Sequence, residues 1–253
     1  KELQNRVEGA AKLVDAYLED GIKYTNTIAR NKSLLASLSS QKTQNSELED
    51  FVRASYQSAT TLKRLVIFDN LGNLLASYPK GDIEAATVNV SDREYFKQAI
   101  KQQRTVISEL IESRIAKGGR TIVIVAPVID ATGAVLGIVA GGIDISQLED
   151  KLSALKFGST GFFALADNKK TIFIANNKDL IGQQPKFNLS LIKAVEGYSG
   201  QVEGYSEQGD LSLQAYTHIP KLSWGIVAQQ PISETFRGSS LISFTIFLIT
   251  ILS

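Results

Sequence analysis

The chain has no cysteine, one histidine, one tryptophan and five prolines among its 253 residues. Without cysteine there is neither a disulfide framework nor a thiolate metal site. With His218 alone, multi-histidine metal centres and serine-histidine arrangements lose their raw material; His218 in "YTHIP" has no second ligand nearby and reads as a strand-end residue. An excess of one charge sign is also lacking. The 27 basic and 26 acidic side chains leave a net charge of +1, and no basic stripe with interleaved aromatics runs along the sequence. Nucleic acid is therefore not an expected partner. No serine stands beside a base and an orienting group, so the sequence predicts no catalytic residues, no metal site and no cofactor. What is present is a hydrophobic content of 43%, enough for one large domain or two ordinary modules, with Trp224 expected in the core.

From Leu3, the residues Val7, Ala10, Val14, Tyr17, Leu18, Ile22 and Ile28 recur mostly at three- and four-residue steps. This spacing predicts one helix of about seven turns, longer than a compact domain normally supplies. "SELEDFVRASYQSATTL" opens with Ser46 and Glu49 at capping-box spacing and predicts a second helix, with the polar stretch from Ser37 to Asn45 as its loop. Beyond Lys63 the texture changes to β-branched and aromatic runs between turn residues: "RLVIFD", "LLASYP", "TVISELIES", "TIVIVAPVID" and "AVLGIVAGGIDI". These predict an antiparallel sheet. "DNLGN" and "AKGGRT" read as turns, the acidic spacing of the first being wrong for a calcium loop. A second series, "GFFALADN", "TIFIANN", "SGQVEGYS", "LSLQAYTHIP" and "SWGIVAQQP", repeats the order of the first. In each, a strand pair precedes a capped helix ("SDREYFKQAI", "NLSLIKAVEG") and the last strand carries "GIV", at Gly137 and Gly225. That repetition suggests an internal duplication, its halves linked by a helix from Ser146 with Glu149 at capping spacing. The fold class is α+β: a long N-terminal helix and two tandem modules, each an antiparallel sheet flanked by helices.

In "VSDREYF", Ser91 as N-cap places Glu94 at the reciprocal capping position, Val90 and Tyr95 at the hydrophobic staple, and Asp92 where the helix dipole favours an acid. Arg93 and Phe96 are left over. A cation in the first turn opposes the dipole, and two readings of Arg93 stand: a guanidinium in water, or one that holds an anion against the free N–H groups of the helix. A carboxylate fits both kinds of donor. Arg114, closing "SELIESR", either faces the same pocket or is a solvated hairpin residue, and the hydroxyl of Ser108 in the same strand either reaches a ligand or faces water.

The long first helix, the two strand-helix-strand units, "SDREYF", "VLGIVAGGIDIS" and "LSWGIVAQQPISETF", taken in order, resemble a double Cache sensor domain over nearly the whole chain. The resemblance implies an N-terminal helical part over residues 1–62, a membrane-distal PAS-like module over 63–150 and a membrane-proximal one over 151–236. The uncharged run "LISFTIFLITILS" then makes 237–253 the expected start of a transmembrane helix. So placed, the domain is periplasmic or extracellular. It passes a conformational change to a cytoplasmic histidine kinase, chemotaxis or cyclic-dinucleotide module, in a receptor expected to be a homodimer. In double Cache domains that bind amino acids, an arginine is followed two residues later by an aromatic pair, here Arg93, Tyr95 and Phe96, and an aspartate matching Asp144 takes the amino group. The resemblance thus implies a small carboxylate or amino acid in the distal module. Asp144 has a second reading, satisfying N–H groups in the turn before Ser146. Two tyrosines of the pattern are replaced by Val88 and Ile111, and each lost hydroxyl donor lowers discrimination by roughly 1 to 3 kcal/mol. The proximal "NLSLIKAVEG" lacks the arginine and aromatic pair and is expected to be filled. The alternative is an interaction module of the same fold with no small-molecule ligand.

Overall fold

A computed structural model of the protein describes residues 1–40, 45–80, 88–116, 119–155, 157–158 and 160–232. The first helix, α1 (Glu2–Ala29), forms as one piece. Its buried line is Leu3, Val7, Ala10, Val14, Tyr17, Leu18, Gly21, Thr25 and Ile28, three or four residues apart at each step but one. Ile22, which the apolar pattern assigned to this stripe, is only half-buried; Gly21 and Thr25 continue it instead. A β-carbon at Gly21 would lie 2.6 Å from Cδ1 of Ile124, so any larger residue there requires that side-chain tip to move.

Asn31 breaks the run by capping a second helix, α2 (Lys32–Ser39), with its side chain on the Ser33 N–H at 2.9 Å. The expected loop from Ser37 therefore begins as helix, and most of its remainder lies outside the described residues. The third helix, α3 (Asn45–Tyr56), starts one residue before Ser46, which sits in the first turn rather than at the cap.

The first sheet is built from β1 (Leu62–Asp69), β2 (Leu74–Tyr78), β3 (Val106–Ile107), β6 (Val123–Ile129) and β7 (Val135–Ile143). Between β2 and β3 lies α4 (Glu94–Gln102). The expected strand through "SELIES" is interrupted, and β4 (Ile111–Glu112) pairs with β5 (Arg120–Thr121) as a separate ribbon. Part of "AKGGRT", at the tip of that ribbon, lies outside the described residues. The sheet order is β2-β1-β7-β6-β3.

After α5 (Ile145–Ser153) comes a second sheet of β8 (Phe162–Ala166), β9 (Ile172–Ile174), β10 (Gly200–Tyr205), β11 (Leu211–Ile219) and β12 (Trp224–Pro231), with α6 (Leu189–Val195) before β10. Its order is β9-β8-β12-β11-β10. In each sheet the last strand lies between the first and the penultimate strand, so the two share one topology and the duplicated "GIV" segments both occupy central strands. The chain divides into two compact units, residues 16–147, and residues 1–15 with those from 148 on. The boundary expected at 150/151 falls within α5. The segment expected to enter a membrane, 237–253, lies outside the described residues, among which no helix is long and apolar enough to cross one.

Alternation sorts the first sheet into two faces. Paired rows place Arg64, Gly142 and Val123 side by side, then Val66, Ala140 and Val125, then Phe68, Ile138 and Pro127. The opposite face carries Leu65, Gly141 and Ile124, and α1 packs there: a β-carbon at Gly141 would meet Leu62 Cδ1 at 2.7 Å and Thr25 Oγ1 at 3.0 Å. The start of β1 and the end of β7, neighbours at one end of the sheet, are tied to α1 by one hydroxyl. Tyr17 donates to the carbonyls of Thr61, at 3.2 Å, and Asp144, at 3.0 Å, and the Asp144 N–H also bonds Thr61.

In the second unit α6 lies directly on β12, where a β-carbon at Gly225 would come within 2.7 Å of the Val195 nitrogen. His218 joins its Nδ1 to the Ala194 carbonyl at 2.8 Å, and buried Trp224 meets Phe173 edge-on. Tyr17→Phe should lower the unfolding free energy by about 1 to 2 kcal/mol, because it leaves the Asp144 carbonyl without its donor while keeping the ring in place. Urea denaturation of the two proteins measures this.

Candidate functional site

A cavity of about 250 Å³ opens on the face of the first sheet away from α1. Its floor is Val66, Phe68, Val123, Ala140 and Gly142, all on the rows just described. Small side chains at Ala140 and Gly142 leave the space that larger strand residues would fill. The start of α4 contributes Val90, Arg93 and Tyr95 to one wall, and the β4–β5 ribbon contributes Ile111, Glu112, Arg120 and Thr121 to the other.

The local sequence places Arg93 differently from the expected helix start. Asn89 takes the Ser91 N–H on its side-chain oxygen at 2.8 Å, and the Arg93 N–H bonds the Val90 carbonyl at 3.0 Å. That turn occupies residues 89–93, so the helix begins at Glu94 and Arg93, not Ser91, is its N-cap. Glu94 consequently makes no capping box; its carboxylate accepts from Gln98 at 2.8 Å. The pairing of Val90 with Tyr95 does form, both being buried in one apolar cluster. Arg93 offers no side-chain cap. Its guanidinium turns to the ribbon, where Nη2 donates to the Glu112 carbonyl at 3.0 Å, while Nε is buried with no acceptor. Among the described residues four buried side-chain atoms lack a partner, and Nε of Arg93 is the one that belongs to a cation. A buried, unmatched donor costs about 1 to 3 kcal/mol and more when charged.

Arg114 also reaches the cavity wall, but its terminal nitrogens are engaged. They bond both carboxylate oxygens of Asp92, one at 2.7 Å, and the Asn89 carbonyl at 2.6 Å. This fork fastens the ribbon to the turn that carries Arg93. The guanidinium holds the Asp92 carboxyl down to about 2. Burial pushes the Tyr95 phenol up to about 12, so it stays protonated beside the cavity.

The other sequence candidates lie elsewhere. Phe96 packs in the apolar cluster under α4 and is not on the cavity lining. Ser108 extends the β3–β6 ladder, its hydroxyl accepting from the Val123 N–H at 3.0 Å and donating to the Glu109 carbonyl at 2.7 Å. Asp144 is also off the lining; its carboxylate caps α5 by accepting the Gln147 N–H at 3.2 Å, the position expected for Ser146. The structure thus brings together Arg93, Tyr95 and Arg114, and adds Lys63, Arg64, Glu112 and Arg120, which sequence reasoning passed over. Five cationic side chains and one carboxylate line the cavity; of the cations, Arg114 is paired with Asp92 and Arg64 donates to the Pro79 carbonyl. No group of three or more metal-ligating side chains occurs among the described residues.

In the second unit the space under α6 is filled by Ala164, Ala166, Leu191, Tyr216 and Val227. A separate hollow of about 490 Å³ lies between α5 and the β8–β9 edge, beside Glu149, Phe157 and Asn176, and the Glu149 carboxylate is paired with Lys178. The expectation of a filled module therefore holds beneath α6 and not at this edge.

Two sheets of one PAS-like topology in a single chain, the first with a helix-walled cavity, define a tandem sensor fold. The chain belongs to the dCache_1 family of Cache domains, whose profile matches residues 1–239. No curated protein matches it. Among solved structures it is similar to the ligand-binding domain of the Pseudomonas aeruginosa amino acid chemoreceptor PctB in complex with L-Gln, with a TM-score of 0.71 at 17% identity over 98% of each chain. The V. cholerae histidine kinase DctB sensor domain gives 0.72 at 18% identity, over 91% of this chain and 96% of that one. The periplasmic sensory domain of the Campylobacter jejuni chemoreceptor Tlp1 gives 0.70 at 15%, over 93% and 95%.

The Asp92–Arg114 fork has a pH signature. The folded-state value lies below the ordinary 3.8, so its contribution is present above about pH 4 and is lost as pH falls toward 2. Asp92 is exposed and its pair is screened, so the effect is small. Melting temperature followed from pH 5 to pH 2 should fall less steeply in Asp92→Asn than in the parent.

Proposed function

We propose that the chain is the extracytoplasmic ligand-sensing domain of a transmembrane receptor and that it binds a small carboxylate-containing metabolite in the cavity of the first module. The observation that carries this reading is the buried Nε of Arg93, a cationic donor without an acceptor at the head of a helix whose first N–H groups have no intrahelical partner. A carboxylate there receives the guanidinium and the helix N-terminus together. Tyr95 supplies an aromatic wall with a protonated hydroxyl, and Arg114 positions the ribbon that closes over the ligand. Family membership supports a binding role rather than catalysis. Among the similar structures, PctB was solved with L-Gln and with L-Arg, and the chemoreceptor CtaA of Pseudomonas fluorescens with L-isoleucine, which supports small carboxylate-bearing ligands in this fold.

In this reading 63–150 is the membrane-distal module and 151–236 the proximal one, and a segment from 237 on leads into the membrane. A ligand that prefers one of two conformations shifts their populations, and each tenfold preference supplies roughly 1.4 kcal/mol of bias to a cytoplasmic output module. Flanking helices in a homodimeric receptor carry that bias across the membrane. Arg93→Ala should weaken binding of the ligand that co-purifies or is found by screening by about 1.5 to 3 kcal/mol, the range for hydrogen bonds to charged groups. Arg93→Lys should recover only part of this, since an ammonium lacks the fork. Asp144→Asn should leave affinity unchanged. Isothermal titration reads all three, and an Arg93→Ala variant that binds as the parent does removes the carboxylate from this cavity.

A further inference from the structure

Among the described residues seven large apolar or aromatic side chains are exposed, and six of them fall between Phe187 and Leu211, in the second unit. The course of the chain gathers four of the six at one end of the second sheet. Tyr205 and Leu211 are the last directly paired residues of the β10–β11 hairpin, and the next row joins Ser212 to Pro231, where β12 ends. The hairpin turn also holds the start of α6: one carboxylate oxygen of Glu207 accepts the N–H groups of Lys186, Phe187 and Asn188 at 2.7, 2.9 and 2.9 Å. Phe187 and Leu189 therefore sit at the Pro231 end of the sheet. The last turn of α6 lies at the other end, with the Ala194 carbonyl on His218 and the Lys193 carbonyl on the Tyr198 N–H. Alternation from Tyr216, which packs under α6, puts Leu211 and its partner Tyr205 on the opposite face of the sheet. Apolar groups thus stand on both sides of the sheet at one end, an arrangement suited to a surface met end-on and not to a groove on one face. Phe187, Leu189, Tyr205 and Leu211 are 45% to 63% exposed, and whereas single exposed apolar residues are ordinary, four gathered at one end mark an interaction surface.

We propose that this end of the second sheet is a lipid-contacting surface, with Phe187, Leu189, Tyr205 and Leu211 seated in the headgroup boundary of a bilayer. This rests on the reading above that a segment from 237 on leads into the membrane. The chain leaves β12 at Pro231, one row from Tyr205 and Leu211, and the uncharged run begins ten residues later at Leu241, a reach of at most about 36 Å. The end of the sheet that exposes apolar side chains is therefore the end from which the apolar run departs. Phenylalanine and leucine supply buried area in such a boundary, and the tyrosine phenol keeps a polar tip in the headgroups. Charge does not select an anionic surface: Lys186 is offset by Asp210 of the hairpin turn, and the Glu207 carboxylate is engaged by backbone N–H groups. The contact rests on apolar area, so it forms on zwitterionic phosphatidylcholine and withstands salt.

The chain has no cysteine, so Phe187→Cys, Leu211→Cys and, as a control at the opposite end of the same sheet, Tyr198→Cys each give one site for a small fluorophore. The test is fluorescence of the full chain reconstituted in phosphatidylcholine vesicles with and without nitroxide-bearing lipid. Lipid-borne nitroxide should quench the labels at Phe187 and Leu211 at least about twofold, as for groups within the roughly 5 to 10 Å headgroup boundary, at low and high salt alike. The label at Tyr198 should stay bright. Adding Phe187→Ser and Leu189→Ser to the Leu211→Cys protein should remove about half or more of its quenching, because binding scales with buried apolar area. These side chains are exposed, so each variant should melt as the parent does. If the protein floats with the vesicles and the labels at Phe187 and Leu211 are not quenched, or are quenched no more than the one at Tyr198, the lipid surface is overturned and the membrane reading stands. Labels unquenched by lipid that crosslink between two copies give the patch to a second chain and overturn it equally. A full chain that does not float with vesicles at all removes the membrane reading and this surface together.

Discussion

The first module depends on the small side chains of its central strand. Ala140 and Gly142 on one face of β7 make the floor of the cavity, and Gly141 on the other lets Leu62 and Thr25 close against the sheet. One strand thus provides the floor of the cavity and the seat of α1, with a single sheet of backbone between them. A larger residue at any of these three positions would fill the cavity or lift the helix, and both are overpacking changes with costs of roughly 1 to 3 kcal/mol. The same thinness gives a physical route for coupling. The Gly142 end of β7 runs directly into Asp144, whose carbonyl is bonded to Tyr17 on α1. Because the Thr61 carbonyl shares that hydroxyl, both strand ends are held to the helix at one point.

The second module shows what the same topology does without that space. Gly225 of β12 brings α6 onto the sheet backbone, and Leu191, Ala194 and Tyr216 fill the position that the cavity takes in the first. The two modules therefore share a strand order and differ at the helix start: an arginine with an unsatisfied nitrogen heads α4, and Asn188, bonded to the Leu191 N–H at 3.0 Å, heads α6. The head of α6 is capped by its own side chain, whereas Arg93 at the head of α4 offers no side-chain cap.

Much of this was readable in the residues. The three- and four-residue apolar steps forecast α1 nearly to its ends, and the repeated order of strands and capped helix forecast two sheets of one topology. What escaped has common physical causes. Side-chain hydrogen bonds from Asn31, Asn89 and Asp144 set helix starts against the caps that spacing favoured, because each competes locally for backbone N–H groups. The cations Lys63, Arg64 and Arg120 were hidden for another reason. A bulge leaves no mark on the alternation of a strand beginning "LKRLVIFD", and a ribbon interrupted after "TVISEL" pairs only through contacts distant in sequence. Arg93 was legible because its charge conflicts with a helix start, although it proved to be the cap itself and not a first-turn residue.

Binding of an acid at Arg93 is read most directly in the electron density of a crystal of this protein grown in the presence of the tightest-binding small acid. A carboxylate oxygen is expected about 3 Å from Nε of Arg93, between the start of α4 and the β4–β5 ribbon. Density for the acid at the α5 edge of the second module, or an Arg93 side chain turned out to solvent with the cavity collapsed, would contradict it.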